Sequence, residues 1–289
     1  MSSAQRKIKR NKNQKEAVID LEGPCVIVAG AGSGKTRVLT KRVAHIINQK
    51  KAWPNQILCV TFTNKAAREM QNRIAGFLNE KISSLPWLGT FHSVSAKILR
   101  RHAEAVGLNS RFTIIDQEDQ LRLIKNICKA ENIDIKKISP QFVLAFINQW
   151  KNKGLLPSNV TAKREAPLEK PILNVYKFYQ ERLKILNACD FGDLILLCVT
   201  MFENNLDILE LYLNNFKYIL VDEYQDISFK QYDLLKNLTS GWIPGDGRTM
   251  FIVGDPMQSI YRFRDAEVGL FLKTKKEGLG QIHFDSLLL

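Results

Sequence analysis

The segment 25–47 places an apolar strand, a glycine-rich turn and an amphipathic helix in direct succession. The strand reads Cys-Val-Ile-Val-Ala and the turn ends in Gly-Lys-Thr. Four apolar residues then recur at helical spacing and share one face: Leu39, Val43, Ile46 and Ile47. The backbone N–H groups of such a turn and the N-terminus of the following helix both attract an anion. The segment therefore predicts a phosphate-binding loop on an α/β scaffold.

The loop residues are the predicted nucleotide contacts: Ala29, Gly30, Ala31, Gly32, Ser33, Gly34, Lys35 and Thr36. The three glycines let the backbone curl so that its N–H groups point at a β-phosphate. Lys35 is expected to reach the β- and γ-phosphate oxygens, and Thr36 to offer its hydroxyl to Mg²⁺. The strict pattern has glycine where Ala29 stands. A glycine- and serine-rich turn with a fortuitous Gly-Lys-Thr is the alternative.

A second element follows a buried strand at 218–221, where the sequence continues Asp222-Glu223. Asp222 is expected to bind Mg²⁺ and Glu223 to polarise the attacking water. The alternative is an aspartate that caps a helix, followed by a solvated glutamate. Together with the loop, the pair predicts nucleoside triphosphate hydrolysis. No Asn-Lys-x-Asp segment follows, which argues against a guanine-specific switch.

The strands alternate with helical periodicity. Apolar runs at 57–60, 218–221 and 250–253 join the first strand, and Ala66, Met70 and Ile74 recur after the second run. This alternation predicts a parallel sheet covered by helices on both faces. Between 107 and 188 the strand signals vanish and helical periodicity takes over. We therefore expect an α/β domain in two parts, 1–106 and 189–289, interrupted by an all-helical insertion at 107–188.

The chain of 289 residues carries 42 Lys and Arg against 29 Asp and Glu, a formal net charge of +13. Such an excess favours a polyanionic partner through counterion release, although many basic proteins bind no nucleic acid specifically. In the predicted insertion, four cations fit either a duplex contact or a solvated surface: Lys151, Lys153, Lys163 and Arg164.

Five cysteines occur without paired spacing, so they predict buried thiols in a reducing, cytoplasmic compartment rather than disulfides or a structural metal site. In a bacterial cell that location includes the nucleoid. The longest apolar stretch, 194–202, is far shorter than the roughly 20 residues that a membrane helix needs. We expect no membrane partner.

Six segments then occur in a characteristic order: 11–18, 29–37, 60–67, 89–93, 221–226 and 254–264. Together they resemble the motifs in the N-terminal half of the UvrD/Rep-type DNA helicases of superfamily one. The resemblance implies a RecA-like fold, an ATP-Mg²⁺ substrate, and translocation 3′ to 5′ on single-stranded DNA toward a duplex junction. It further implies that Gln14 reads the adenine edge and that Arg37 assists at the nucleotide.

The same resemblance assigns residues to DNA and to catalysis. It implies that single-stranded DNA is contacted by Phe62, Thr63, Asn64, Thr90, His92, Phe191, Tyr261, Phe263 and Arg264. Lys35, Glu223 and Gln258 would be catalytic. Two segments depart from the usual pattern. Pro256, Met257 and Phe263 bring the last motif closer to the RecB and AddA helicase-nucleases, and Gly192 replaces an acid in 190–194.

The last motif also suggests how hydrolysis could move DNA. Tyr261 and Phe263 alternate with two arginines, so an extended backbone would send both rings to one side. With Phe62 and Phe191 they could form a track on which bases stack. Gln258 lies three residues before Tyr261 and is expected to sense the γ-phosphate or its attacking water. An ordinary core position is the alternative for Phe62 and Phe263.

Only 25 residues follow Arg264, too few for the second RecA-like domain that the resemblance implies as a partner. Since an arginine finger from that domain can contribute about 10³ to 10⁵ in rate, we expect very weak ATPase and no unwinding from these residues alone. Two alternatives stay open. One is the motor part of a helicase-nuclease, and the other is a nucleotide-gated DNA-binding module without motor activity.

Overall fold

The computed structural model describes residues 12–30, 32–78, 85–133, 137–161, 168–243, 245–258 and 268–289. Its contacts divide the chain into two compact units. The first comprises Met1–Val94 and Asp207–Leu289, and the second comprises Ser95–Leu206. The second unit contains the predicted insertion 107–188 and extends past it at both ends.

The first unit is built on a six-stranded sheet in the order β3-β2-β6-β7-β1-β8. Every neighbouring pair is parallel. The strands are β1 (Cys25–Val28), β2 (Ile57–Thr61), β3 (Leu88–Thr90), β6 (Tyr218–Val221), β7 (Thr249–Gly254) and β8 (Asp285–Leu288). The four central strands, β1, β2, β6 and β7, are nearly continuous apolar runs, because both faces of a parallel sheet are normally covered. The predicted parallel α/β fold is confirmed.

Helices bury the sheet. Those of the first unit are α1 (described over 12–19), α2 (Lys35–Asn48), α3 (Asn64–Phe77), α9 (Leu206–Asn215), α10 (Phe229–Leu238) and α11 (Val268–Glu277), while α4 (Phe91–Arg101) leads into the second unit. Alternate strand residues such as Ile27 and Leu220 pack with Leu39 and Met70 in one apolar core. The intervening strand residue Ile252 is equally buried, so both faces are covered. In α3 it is Ala67 that joins this core, and the predicted Ala66 is only half-buried.

The second unit is mainly helical and has its own apolar core. Its helices are α5 (Gln117–Ala130), α6 (Pro140–Asn152), α7 (Glu169–Ile185) and α8 (Phe191–Asn204). It also contains a short parallel ladder that pairs β4 (Thr113–Ile114) with β5 (Ala188–Cys189). Two-residue strands carry too little periodicity to be recognised in a sequence.

The strands of the large sheet end at one common edge. Four of the predicted motifs continue past the carboxyl end of a strand: Ala29 follows β1, Phe62 follows β2, Asp222 follows β6 and Asp255 follows β7. Carboxyl ends of parallel strands are where open α/β sheets bind ligands. Among the described residues, no helix has the length and apolar character needed to cross a bilayer.

Candidate functional site

The glycine-rich loop adopts a conformation that its glycines make possible. Gly32 and Gly34 have φ of 63° and 89°, the left-handed region where other residues are strained. Gly34 caps α2, so Lys35 is the first residue of that helix. Ala29 is fully buried, and its N–H donates to the carbonyl of Gly254 at 3.1 Å, so a methyl group fits there. Ala31 lies outside the described residues.

Lys35 points its ammonium at the catalytic carboxylate predicted on β6. Its Nζ lies 3.2 Å from Oε2 of Glu223, and only 8% of the side chain is exposed. Within the part of the chain that the structure describes, neither Lys35 Nζ nor Ser33 Oγ has a well-oriented hydrogen-bond partner, although both atoms are buried. A buried polar atom without a well-oriented hydrogen bond is costly. The Ser33 hydroxyl and the Lys35 ammonium, which has only its ion pair with Glu223, both fit the oxygens of a bound triphosphate.

Thr36 and Asp222 form the second half of the arrangement. The Thr36 hydroxyl donates to Oδ2 of Asp222 at 3.3 Å. Burial, and then the neighbouring charge of Glu223, raise the pKa of Asp222 to about 6, while Thr36 and Lys35 oppose that rise. A hydroxyl beside a carboxylate provides the oxygen ligands that Mg²⁺ prefers. The predicted metal residues are thus adjacent.

Glu223 itself is held in an unusual backbone conformation. Its φ is 50°, in the left-handed region, and its N–H donates to Oδ1 of the preceding Asp222 at 3.1 Å. Such strained positions concentrate at functional sites, where the surrounding structure enforces them. The turn aims the Glu223 side chain at Lys35.

Gln14 contacts the glycine-rich loop directly, whereas Arg37 is exposed beside it. The Gln14 amide donates from Nε2 to the carbonyl of Ser33 at 2.6 Å, which brings the first predicted motif against the loop. The buried Arg42 donates to the carbonyl of Ala17 at 2.9 Å and so ties α1 to α2. Arg37 is exposed on the first turn of α2.

Gln225 is a site residue that the sequence analysis did not single out. It is 1% exposed. Its Nε2 donates to Oε2 of Glu223 at 2.7 Å, and its Oε1 accepts from the N–H of Asp255 at 2.9 Å. The buried side chain therefore connects the end of β6 with the end of β7. The only sequence signal was a polar residue inside the 221–226 motif.

The far end of this connection is Gln258. Asp255 accepts hydrogen bonds from the side chain of Gln258 and, at 3.0 Å, from the N–H of Met257. Gln258 belongs to the 3₁₀ turn Pro256–Gln258 that follows β7. A continuous line of contacts therefore runs from Lys35 through Glu223, Gln225 and Asp255 to Gln258.

The predicted DNA residues after β2 lie close to the nucleotide residues. A cavity of about 320 Å³ is lined by Thr36, Phe62, Thr63, Asp222, Glu223 and Gln258, among others. Phe62 is half-buried. The exposed Thr63 caps α3, because its hydroxyl accepts from the N–H of Ala66 at 3.1 Å. The structure thus brings Phe62 and Thr63 to the same cavity as the two predicted carboxylates, Asp222 and Glu223.

A separate polar groove of about 500 Å³ lies between α3 and β3, and it includes Asn64, Arg68, Gln71, Asn72, Gly89 and Ser93. The predicted Thr90 lies beneath it, 8% exposed, with its hydroxyl accepting from the N–H of Ser93 at 3.2 Å. Burial and the nearby Lys230 lower the pKa of His92 to about 4, so the imidazole is neutral near pH 7. Side-chain amides and one arginine dominate the polar lining of this groove.

The remaining predicted DNA residues lie elsewhere. Phe191 is the first residue of α8 in the second unit, and 56% of it is exposed. Tyr261, Phe263 and Arg264 lie outside the described residues. For Lys151, the sequence was consistent with either a duplex contact or a solvated side chain, and both predictions are wrong. Its side chain is fully buried between Asp190 and Asp193.

Comparison with known proteins finds one family and a set of similar sequences. The model of the UvrD/REP helicase N-terminal domain matches residues 10–278. The chain is 45% identical over 273 residues to a probable DNA helicase II homolog of Rickettsia felis, covering 93% of this chain and 40% of the relative. It is 42% identical over 267 residues to the ATP-dependent DNA helicase PcrA of Staphylococcus aureus, covering 92% and 36%. The chain thus spans about two fifths of the length of these relatives.

Proposed function

This chain belongs to the UvrD/REP helicase N-terminal domain family, and from that premise we propose that it is the ATP-hydrolysing motor domain of an ATP-dependent DNA helicase. One observation carries the proposal. Lys35 and Thr36, in the first turn of α2, lie 3.2 Å and 3.3 Å from Glu223 and Asp222, which directly follow β6. These two segments are nearly 190 residues apart in sequence, and the fold brings their functional groups into contact at one site.

Each side chain has a role that its position supports. The loop N–H groups and Lys35 hold the triphosphate and offset the charge that develops on the transferring phosphoryl group. Glu223 accepts a proton from the attacking water, and its ion pair with Lys35 keeps it oriented. Gln14, whose side chain is bonded to the Ser33 carbonyl of the loop, is proposed to read the adenine edge.

Thr36 and Asp222 are the residues that would hold Mg²⁺. A bound Mg²⁺ would offset the negative charge of the triphosphate. The raised pKa of Asp222 reflects a buried carboxylate beside the charge of Glu223, which Lys35 only partly offsets.

Single-stranded DNA is the proposed second ligand. The polar groove at Asn64 and Ser93 and the cavity at Phe62 lie at the same sheet edge as the nucleotide residues. Phosphates and base faces are the features that every nucleotide shares, so amides and aromatic rings suit binding that ignores sequence. Translocation 3′ to 5′, unwinding at a duplex junction, and the second RecA-like domain as partner are inferred from the family.

Gln258 is proposed to couple hydrolysis to DNA. Its carboxylate partner Asp255 is joined to Glu223 by Gln225, so a change at the hydrolysis carboxylate reaches the turn that precedes Tyr261 and Phe263. The names of the matched relatives favour a helicase motor over a helicase-nuclease or a gated binding module. All five cysteines are free, which supports a cytoplasmic location.

The proposal is tested with the complete gene product. Glu223→Gln should still bind ATP-Mg²⁺ but lose DNA-stimulated hydrolysis by at least about 10²-fold, because the proton acceptor is lost. Lys35→Ala should weaken nucleotide binding itself. Wild-type hydrolysis by Glu223→Gln would refute the assignment of the site.

A further inference from the structure

The second unit contains a buried charge cluster that the nucleotide site does not use. Lys151, at the end of α6, is fully buried, and its Nζ lies 2.6 Å from Oδ2 of Asp190 and 2.7 Å from Oδ1 of Asp193. Both aspartates are also buried, each with 1% of its surface exposed. One cation is thus shared by two carboxylates.

Every oxygen of the two carboxylates has a donor. Tyr179 donates to Oδ2 of Asp190 at 2.8 Å, and Gln180 donates to Oδ1 of Asp193 at 2.9 Å. The other two oxygens accept backbone N–H groups in a reciprocal capping box, Asp193 N to Asp190 Oδ1 at 2.9 Å and Asp190 N to Asp193 Oδ2 at 3.1 Å. A network in which each group is satisfied rigidifies the backbone that carries it.

That backbone is the first turn of α8, and it carries Phe191. The two residues between the aspartates are Phe191 and Gly192. The clamp formed by Lys151, Asp190 and Asp193 therefore holds the backbone on both sides of the Phe191 ring. A Cβ at Gly192 would lie 3.0 Å from Cδ of Lys151. Glycine at position 192 therefore leaves room for the aliphatic part of the Lys151 side chain. This is a physical reason why the segment 190–194 has glycine where the family pattern has an acidic residue. Phe191 points outward with 56% of its surface exposed.

We infer that Lys151 is a positioning residue for single-strand binding, because it clamps Asp190 and Asp193 and thereby presents the ring of Phe191 to a base. The inference rests on the proposed DNA-binding function. Buried ion pairs add little stability over an apolar core of equal volume, and their best-attested use is to specify one arrangement. A ring fixed before binding loses less conformational entropy when a base stacks on it.

The test is a double-mutant cycle on DNA affinity. Binding of the complete gene product to fluorescein-labelled oligodeoxythymidine is followed by anisotropy for wild type, Phe191→Ala, Lys151→Met and the double variant. Phe191→Ala should weaken binding about tenfold, the loss of one stacked base. Lys151→Met should weaken DNA binding severalfold in the wild-type background but less than about twofold in the Phe191→Ala background. The reason is that the effects of substitutions at two coupled residues do not add.

Lys153→Met is the matched control, because it removes an exposed positive charge two residues further along the chain. Its effect on DNA affinity should be the same with and without Phe191. If Lys151→Met does not fold, the cycle is repeated with Asp193→Asn, which preserves volume and leaves the Lys151–Asp190 pair. The same loss in both backgrounds, or a lower melting temperature with unchanged affinity, would overturn the role of Lys151.

The outcomes separate this inference from the proposed function. Weaker binding by Phe191→Ala with wild-type affinity for Lys151→Met overturns only the role of Lys151. Wild-type affinity for Phe191→Ala overturns both the stacking role and the clamp that serves it. No binding of oligodeoxythymidine by the wild-type protein overturns the proposed function as a whole.

Discussion

The side chain of Gln225 joins Glu223 to Asp255. One end of its amide donates to the Glu223 carboxylate at 2.7 Å and the other accepts from the Asp255 N–H at 2.9 Å. Because Asp255 also accepts a hydrogen bond from Gln258, a single buried amide lies between Glu223, the proposed proton acceptor, and the turn after β7.

Gln225→Leu should uncouple hydrolysis from DNA. Leucine has a similar volume but cannot bond to Glu223 or Asp255, so the nucleotide site would persist while its link to Gln258 is lost. We expect DNA stimulation of the ATPase to fall at least about tenfold, with nucleotide affinity within about threefold of wild type. Each lost bond is worth about 1 kcal/mol. Steady-state ATPase with and without single-stranded DNA measures the ratio.

Gln231→Leu controls for the loss of a buried glutamine. Gln231 is 7% exposed in the same unit, and it accepts from the N–H of Ser228 at 3.0 Å in the cap of α10. This variant should lose a comparable amount of stability but keep its DNA stimulation. Equal loss of stimulation in both variants would contradict a specific role for Gln225.

Gly254→Ala should damage the same connection by steric overlap. A Cβ at Gly254 would lie 2.7 Å from Oε1 of Gln225 and 2.7 Å from Cε2 of the buried Phe271. Overpacking of this kind typically costs about 1 to 3 kcal/mol. Urea unfolding measures the cost. Gly76→Ala on the exposed face of α3, where a Cβ meets nothing within 4 Å, should instead stabilise by up to about 1 kcal/mol.

His92→Gln should reduce the acid sensitivity of folding. The pKa of His92 is lowered to about 4 in the folded chain, whereas an unfolded histidine titrates near 6.5. Between these values the unfolded state binds the extra proton, so stability falls as the pH drops below about 6.5. We expect wild type to lose about 2 kcal/mol more than the variant between pH 7 and pH 5. Identical losses in urea titrations at the two pH values would contradict this.

Arg42→Met should loosen α1 and with it Gln14. The guanidinium is 1% exposed, bonds to the carbonyl of Ala17 and lies 4.3 Å from the centre of the Phe251 ring. Methionine can fill the space but cannot donate. Amide hydrogen exchange in 12–20 should accelerate by at least about tenfold, since each 1.4 kcal/mol of local opening is a factor of ten. Lys41→Met, one residue earlier, should leave that exchange unchanged.

The phosphate loop, the carboxylate pair and the parallel sheet were predictable from the sequence because their signals are local. An apolar run, a glycine turn and a helical face each lie within about a dozen residues. The short β3 escaped prediction because it has only three residues, one of them Gly89. The family resemblance came from the order of motifs, and the match over 10–278 confirms it.

Contacts between distant segments could not be predicted. Lys151 resembles any surface lysine in sequence, and only the fold places it between Asp190 and Asp193, 39 and 42 residues away. Gln225 and Asp255 are likewise joined only because β6 and β7 are neighbours in the sheet. Residue types and local spacing determined what chemistry this chain carries. Strand order and burial decided which groups touch, since hydrogen bonds and ion pairs depend on distances that sequence separation does not encode.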